Sequence, residues 1–432
     1  MSLPEDRIDQ WLSYIETLAP VEIDLGLKNM RLMLERMSLQ EPSFKTILVA
    51  GTNGKGSCVE FLRNYFKEQG YKVGAYTSPH LFRFHERIRI KDNFVTDEEL
   101  LDAFKSIEAL RRDMPLTFFE FTTLSCFKIF HESDIEYAIL EVGLGGRLDA
   151  TNALDPFACL ITGISIDHTQ WLGKDLDSIG REKAGIFRDH IPAVFGGKHL
   201  PHSVMELAKK NSLYFNSYGT EYSVSKQPDG FYHYKHIDGY KLSFKLPNFG
   251  GKEQALNVAS CLTLARLITD EIPFNEFIFI KAIDDSDILG RFTKNKHHNR
   301  NWYFDVAHNE ESAVNLFNNV FNENNENNEN KDGKTIAIFS LMGDKNIERV
   351  TELFLSQIDQ WILYQVDNER SMKIHELNNF FSHHKAQFHI ANSLQDCIEL
   401  ALKKTTFEDR IIVFGSFYLI GPLMKQLGYN LN

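Results

Sequence analysis

The sequence predicts an α/β protein of two domains, each built on a parallel-rich sheet. Three observations carry that expectation. Short apolar runs bounded by glycine alternate with stretches of helical spacing along most of the 432 residues, the signature of βαβ units. A glycine-rich turn containing a lysine joins the first such run to the helix after it. Around Asp284 to Asn301 apolar density falls and charge rises, separating two α/β series, and the chain length suits two domains.

Helical patterns open the chain at Ile8–Leu18 and Leu27–Met37. Thr46–Ala50 reads as a strand buried on both faces. Cys58, Phe61, Leu62, Tyr65 and Phe66 follow with the spacing of an amphipathic helix, stopped near Gly70. Val73–Thr77 completes the first βαβ unit. Further helices fit Asp97–Arg112, Phe119–Glu132 and Leu176–Phe187, and strands fit Tyr137–Val142, Ala158–Ile164 and Ala193–Phe195. Between Tyr222 and Leu246 the runs shorten and alternate, as in antiparallel hairpins on a flank. A helix at Gln254–Ile268 closes a first domain at 1–288. A linker at 289–300 leads to a second, Rossmann-like α/β domain at 301–432, with strands Trp302–Val306, Thr335–Leu341, Trp361–Gln365, Gln387–Ile390 and Ile411–Phe414. The Asn/Glu run 322–330 reads as a disordered surface insertion.

Composition narrows the function. The chain is 43% hydrophobic and 25% charged, with a net charge of −12. That balance suits a globular protein and disfavours nucleic acid or an anionic membrane as the main partner. No apolar run reaches the roughly 18 residues of a membrane span, and the N-terminus lacks a signal-peptide pattern, so a cytoplasmic location is expected. The five cysteines are scattered, odd in number and free of CxxC spacing, which argues for buried thiols over disulfides or zinc.

The chemistry begins at Gly51-Thr-Asn-Gly-Lys-Gly-Ser57, between a strand and a helix. Glycines bring backbone N–H groups close to phosphate oxygens, the helix start adds its dipole, and Lys55 can reach the terminal phosphates. Asn53, Gly54, Lys55, Gly56 and Ser57 are therefore candidate ATP contacts in a P-loop ATPase-like first domain. The strict G-x-x-x-x-G-K-[ST] pattern fails at Val49 and Gly56. Glu141 ends an apolar strand, where a carboxylate can face the loop and serve magnesium. Ser78 and His168 also follow strands. On residue type alone they read as a turn former and a structural histidine, and Lys183 as a solvated helix residue. Asp305, Ala307, His308 and Asn309 close a strand of the second domain, with Asn309 as ready a helix cap as a ligand.

GTNGKGS resembles the Mur-ligase superfamily of ATP-dependent amide ligases. Thr77–Leu81 (TSPHL), Ile139–Asn152 (ILEVGLGGRLDATN) and Asp167–Gly173 (DHTQWLG) are similar to signatures of the bacterial folylpolyglutamate/dihydrofolate synthases. The resemblance implies magnesium at two sites, held by Ser78, Glu141, His168 and a carbamylated Lys183 in the segment REKAGI. It implies ATP contacts at Asn257, Arg291, Asp305 and His308, and leaves room for a monovalent cation such as K+. The stretches at Trp11 and Ile23 resemble the N-terminus of the bifunctional members, and Leu116–Leu124 resembles their pteroate-binding segment, implying contacts at Thr117, Phe118, Phe119, Glu120, Leu148, Asp149 and Ala150. Phe121 reads as core. Lys55, Lys183 and His168 become the candidate catalytic groups. The implied reaction adds L-glutamate to dihydropteroate and to the tail of folates through an acyl phosphate, in a monomer whose ATP spans both domains.

Overall fold

The computed structural model describes residues 4, 7–19, 26–322 and 333–430. The insertion from 323 and the Ile23–Leu25 part of the N-terminal match lie outside them. The chain forms two compact units. The first holds residues to Ser78, Phe84–Lys245 and Ala255–Ser286; the second holds Pro79–Arg83, Leu246–Gln254 and the residues from Asp287 on.

The first unit is built on an eight-stranded sheet. Its strands are β1 (Lys45–Ala50), β2 (Val73–Tyr76), β3 (Ile88–Ile90), β4 (Asn93–Phe94), β5 (Tyr137–Glu141), β6 (Ala158–Ile161), β7 (Pro192–Phe195) and β8 (Tyr214–Ser217), in the spatial order β4-β3-β2-β5-β1-β6-β7-β8. All pairs are parallel except β2–β3 and β3–β4. β1 lies between β5 and β6, so both its edges are paired, and every residue after Lys45 is buried, which explains its unbroken apolar run. Leaving β1 the chain crosses to β2 on one side, and it later enters β6 on the other. That reversal opens a crevice at the carboxyl ends of the strands.

The helices that frame this crevice start where local chemistry tells them to. The helix α1 is Ile8–Glu16, α2 is Lys28–Arg36 and α3 is Lys55–Glu68. The helices α4 (Asp97–Arg111) and α5 (Phe118–Glu132) each open with a capping box, Thr96 with Glu99 and Thr117 with Glu120. Asp175 caps α7 (Leu176–Lys183), which follows the single-turn α6 (Thr169–Leu172). Three antiparallel strands, β9 (Tyr222–Lys226), β10 (Tyr232–His236) and β11 (Lys241–Phe244), form the expected flank.

The second unit carries a six-stranded sheet ordered β12-β13-β17-β14-β15-β16. These strands are β12 (Thr293–His297), β13 (Arg300–Asp305), β14 (Thr335–Phe339), β15 (Gln360–Leu363), β16 (Phe388–Ile390) and β17 (Arg410–Phe414). Every pair but β12–β13 is parallel. Side chains alternate between two cores: Ala337 and Phe339 face one, Ile336 and Ile338 the other.

The sequence expectation needs correction in several places. The segment 289–300 is no plain linker: Thr293–His297 forms edge strand β12, paired with β13 through a two-residue turn at His298 and Asn299, both at positive φ. Its Lys294, Asn295 and Lys296 are exposed, and that polarity hid a strand whose outer edge pairs with no strand among the described residues. The helix expected to run to Phe187 ends at Lys183 and tightens into a 3₁₀ turn. The strand expected to reach Ile164 ends at Ile161. Strands β3, β4 and β8 and the helices His202–Lys210 and Glu276–Asp284 were not foreseen.

Leu48, at the centre of β1 and fully buried, tests whether this sheet holds the first unit together. Leu48→Ala is expected to cost about 2–5 kcal/mol in denaturant unfolding, with little change in m-value. A loss below about 1 kcal/mol would show that β1 is not the core strand described here.

Candidate active site

The phosphate loop is pinned between β1 and the end of β6. Thr162 N donates to Ala50 O at 2.9 Å and Thr162 Oγ1 to Asn53 O at 2.5 Å, while Thr52 N donates to Gly163 O at 2.9 Å. Gly51 has φ 145°, and a Cβ there would lie 1.9 Å from Thr162 Oγ1. Gly54 has φ 85°, and a Cβ there would lie 2.5 Å from Asn257 Oδ1. Only glycine fits at either position. The second contact sets Asn257, on the helix Gln254–Leu267, against the loop. Gly54 is the N-cap of α3 and gives no side-chain cap. The first turn, at Lys55, Gly56 and Ser57, thus begins without a side-chain cap from its N-cap residue, an opening that suits an anion.

Oxygen ligands gather beside that turn. Glu141 ends β5 in register with Val49 of β1. Its Oε2 accepts from Ser78 N at 3.2 Å and would lie 3.6 Å from a Cβ on Gly56. Glu141 is 5% exposed. A buried carboxylate, a serine hydroxyl and a phosphate loop form the kind of oxygen-rich, sparsely charged surroundings that magnesium accepts. Among the described residues no group of three His, Cys, Asp or Glu side chains is arranged to hold a metal ion. Substrate oxygens would therefore have to complete such a site. His168 takes a left-handed conformation at the start of α6, with Nε2 3.9 Å from Asp167 Oδ2.

Lys183 ends α7 and is 4% exposed. Its Nζ donates to Gly51 O at 2.8 Å. Lys55 Nζ donates to the same oxygen at 3.2 Å and to Thr52 O at 3.1 Å. Burial, and then the neighbouring Lys55 charge, bring the Lys183 pKa down to about 7, against the weaker pull of Asp167 and Asp149. The solvated-helix reading of Lys183 is thus corrected: the amine is enclosed and poised to be neutral, as attack on CO₂ requires.

The aromatic segment lies in the same unit. Thr117 and Glu120 spend their side chains on the capping box of α5, with Thr117 N donating to Glu120 Oε2 at 2.8 Å. Phe118 and Phe119 are half-buried. Phe119 has its ring centroid 6.0 Å from that of Tyr76 and lies against Gly143. Phe121 is core, stacked edge-on with Phe104. Asp149 is buried and accepts from Leu144 N at 2.8 Å and Thr151 Oγ1 at 2.6 Å, and burial raises its pKa. Its carboxylate shapes the loop that carries Leu148 and Ala150.

In the second unit Asp305 ends β13 and accepts from Phe292 N at 2.9 Å and Ala307 N at 2.8 Å. Burial raises its pKa to about 7 despite the opposing charge of Arg291. His308 Nδ1 lies 2.7 Å from Val306 O, an acceptor, so Nδ1 carries a proton. Arg291 and His308 both approach the ring of Phe417. Asn309 caps the helix Glu310–Phe317 through Ser312, which is the bland reading of that residue.

Comparison with known proteins agrees with this geometry. Residues 49–265 match the Mur ligase middle domain and 290–417 the Mur ligase, glutamate ligase domain. The chain is 33% identical over 417 residues to the dihydrofolate synthase/folylpolyglutamate synthase of Escherichia coli, covering 96% of this chain and 94% of that one. It belongs to the dihydrofolate synthase/folylpolyglutamate synthase family of Mur ligases. Two solved members of the family share its fold. Escherichia coli FolC in complex with DHPP and ADP gives a TM-score of 0.89 at 32% identity, covering 98% and 99% of the two chains. The bifunctional enzyme from Yersinia pestis, complexed with AMPPNP and Mn ion, gives 0.88 at 32% identity, covering 99% and 100%. Within this family fold, sequence reasoning missed Thr162, whose hydroxyl ties down the loop, and Asp167, whose charge faces Lys183. Both sit just past strand β6, and that position was the available signal.

Lys183 makes stability pH-dependent. Its folded pKa, about 7, lies below the ordinary 10.5, so between these values the unfolded chain binds the extra proton and stability rises with pH. In CO₂-free buffer the wild type should gain on the order of 2–3 kcal/mol over Lys183→Met between pH 7 and pH 9.5. Parallel curves for the two proteins would mean the amine is not desolvated.

Proposed function

We propose that this chain is an ATP- and magnesium-dependent, ADP-forming ligase that adds L-glutamate to dihydropteroate and to the glutamate tail of tetrahydrofolates. The observation that carries the proposal is the uncapped start of α3 beside Glu141 and Ser78, within a chain that matches both Mur ligase domains.

ATP binds at Asn53–Ser57 and Asn257, and the second unit supplies Arg291, Asp305 and His308. The acceptor carboxylate attacks the γ-phosphate in line. The amine of glutamate then attacks the acyl phosphate, and the tetrahedral intermediate collapses to an amide and phosphate. Catalysis rests on positioning and charge neutralisation. Lys55 leaves its loop carbonyls for the phosphates. Ser78 and Glu141 would hold one magnesium, and His168 with the Lys183 carbamate a second. When bound, the metal neutralises charge on the transferring phosphoryl group. A monovalent cation such as K+ is a further candidate ligand. Thr117–Glu120 and Leu148–Ala150 line the pteroate site, with the half-buried Phe118 and Phe119 offering ring faces. The enzyme acts as a cytoplasmic monomer.

Two measurements test this reading. Purified protein with ATP, Mg²⁺ and glutamate should release ADP with dihydropteroate and with tetrahydrofolate alike, each acceptor gaining one glutamate by mass. Turnover with tetrahydrofolate alone would remove the dihydrofolate synthase activity, and ADP release independent of acceptor and glutamate would replace the ligase with an ATPase switch. Separately, protein equilibrated with ¹³C-bicarbonate should show a carbamate carbon resonance that vanishes in Lys183→Arg. A resonance that survives the substitution, or none in the wild type, rules out the modification.

A further inference from the structure

We infer that Arg87 is a positioning residue for the acceptor's ring system, holding Phe118 as a flat platform at a set distance from the strand end that carries Ser78. The inference rests on the ligase reading above and extends it to a residue that no sequence motif singled out.

Arg87 closes the 3₁₀ turn Phe84–Arg87, directly before β3. It is 8% exposed, and a buried charge needs compensation. Two ring faces contribute part of it. The guanidinium carbon lies 5.4 Å from the centroid of Phe118 and 5.5 Å from that of Phe84. The two rings stand 6.2 Å apart at 86° to one another. Such cation–π contacts strengthen when the cation is desolvated. Phe118 is the first residue of α5 and only half-buried, so helix packing leaves part of its ring free. Arg87 and Phe84 fix the other part.

The same turn reaches the reacting end of the sheet. Arg87 O accepts from Thr77 N at 2.9 Å, and Glu86 O accepts from Thr77 Oγ1 at 3.5 Å. Thr77 immediately precedes Ser78, whose N–H donates to Glu141. His85 Nε2 lies 2.6 Å from Asp97 Oδ1 and anchors the turn to the start of α4. One short turn thus sets both the ring platform and the serine–carboxylate pair. A planar, conjugated acceptor stacked on Phe118 would therefore be held at a defined reach from the phosphate loop. Lysine would keep the charge but not the planar guanidinium that meets both rings.

The test is a double-mutant cycle in steady-state kinetics, varying dihydropteroate, ATP and glutamate in turn for wild type, Arg87→Met, Arg87→Lys, Phe118→Leu and the Arg87→Met/Phe118→Leu pair. Arg87→Met should raise the dihydropteroate KM about tenfold and leave kcat and the other two KM values within about twofold. Arg87→Lys should recover part of the loss, and Arg87→Met should add nothing once Phe118 is leucine. An unchanged dihydropteroate KM, or losses that simply add, overturns the inference. Should Arg87→Met not fold, the cycle is run with Arg87→Lys, with the same criteria on a smaller loss. Wild-type protein without glutamate-dependent turnover overturns the ligase reading itself; active wild type with insensitive variants overturns only the role of Arg87.

Discussion

Two lysine amines converge on the carbonyl oxygen of Gly51, Lys183 from 2.8 Å and Lys55 from 3.2 Å. That oxygen points where it does because Gly51 adopts a backbone angle closed to other residues, with Thr162 filling the space a side chain would need. Two ammonium groups on one acceptor repel each other strongly in enclosed surroundings. Burial, and then the neighbouring Lys55 charge, draw the Lys183 pKa down to about 7. The placement of the two lysine amines and the shape of the loop are thus set together by one peptide group. Glu141 and Ser78 take their places around it because β5 runs in register beside β1.

Much of the first unit was legible because its determinants are local. A short apolar run followed by a glycine turn and a 3.6-residue pattern leaves little choice besides β1, the loop and α3. The hairpin flank was visible for the same reason, in its alternation. Less legible was what each polar residue does. Asp149, Glu120 and Asn309 are the residue types that bind ligands and equally the types that cap helices and fasten loops. In the fold they are engaged in the second task. Lys183 went the other way. Nothing in its neighbours along the chain announces burial, which is imposed by β1 and the loop more than a hundred residues earlier.

The second unit shows a different limit. Its parallel strands were readable as apolar runs, but β12 is polar, short and at an edge, so hydrophobic patterning carries no trace of it. Its pairing is dictated instead by the turn at His298 and Asn299 and by the fixed position of β13. The same pairing explains why Asp305 is enclosed. Phe292, just before β12, donates its N–H to the carboxylate, which opposes the rise in pKa that burial causes.

The division of the chain into units has a consequence for how the protein is made. Pro79–Arg83 and Leu246–Gln254 belong to the second unit although they are translated long before its sheet. Leu81 and Phe82 pack against the core that includes Trp302 and Phe304, Leu81 O lies against Gly421, and Gly250 N donates to Arg291 O at 2.8 Å. These early segments meet those partners only once Arg291 and the residues after it have been made, and Leu81 meets Gly421 only near the end of synthesis. Synthesis therefore cannot finish one unit before the other begins, as it does for beads on a string. A fragment that starts at the second Mur ligase domain would lack two pieces of its own interior.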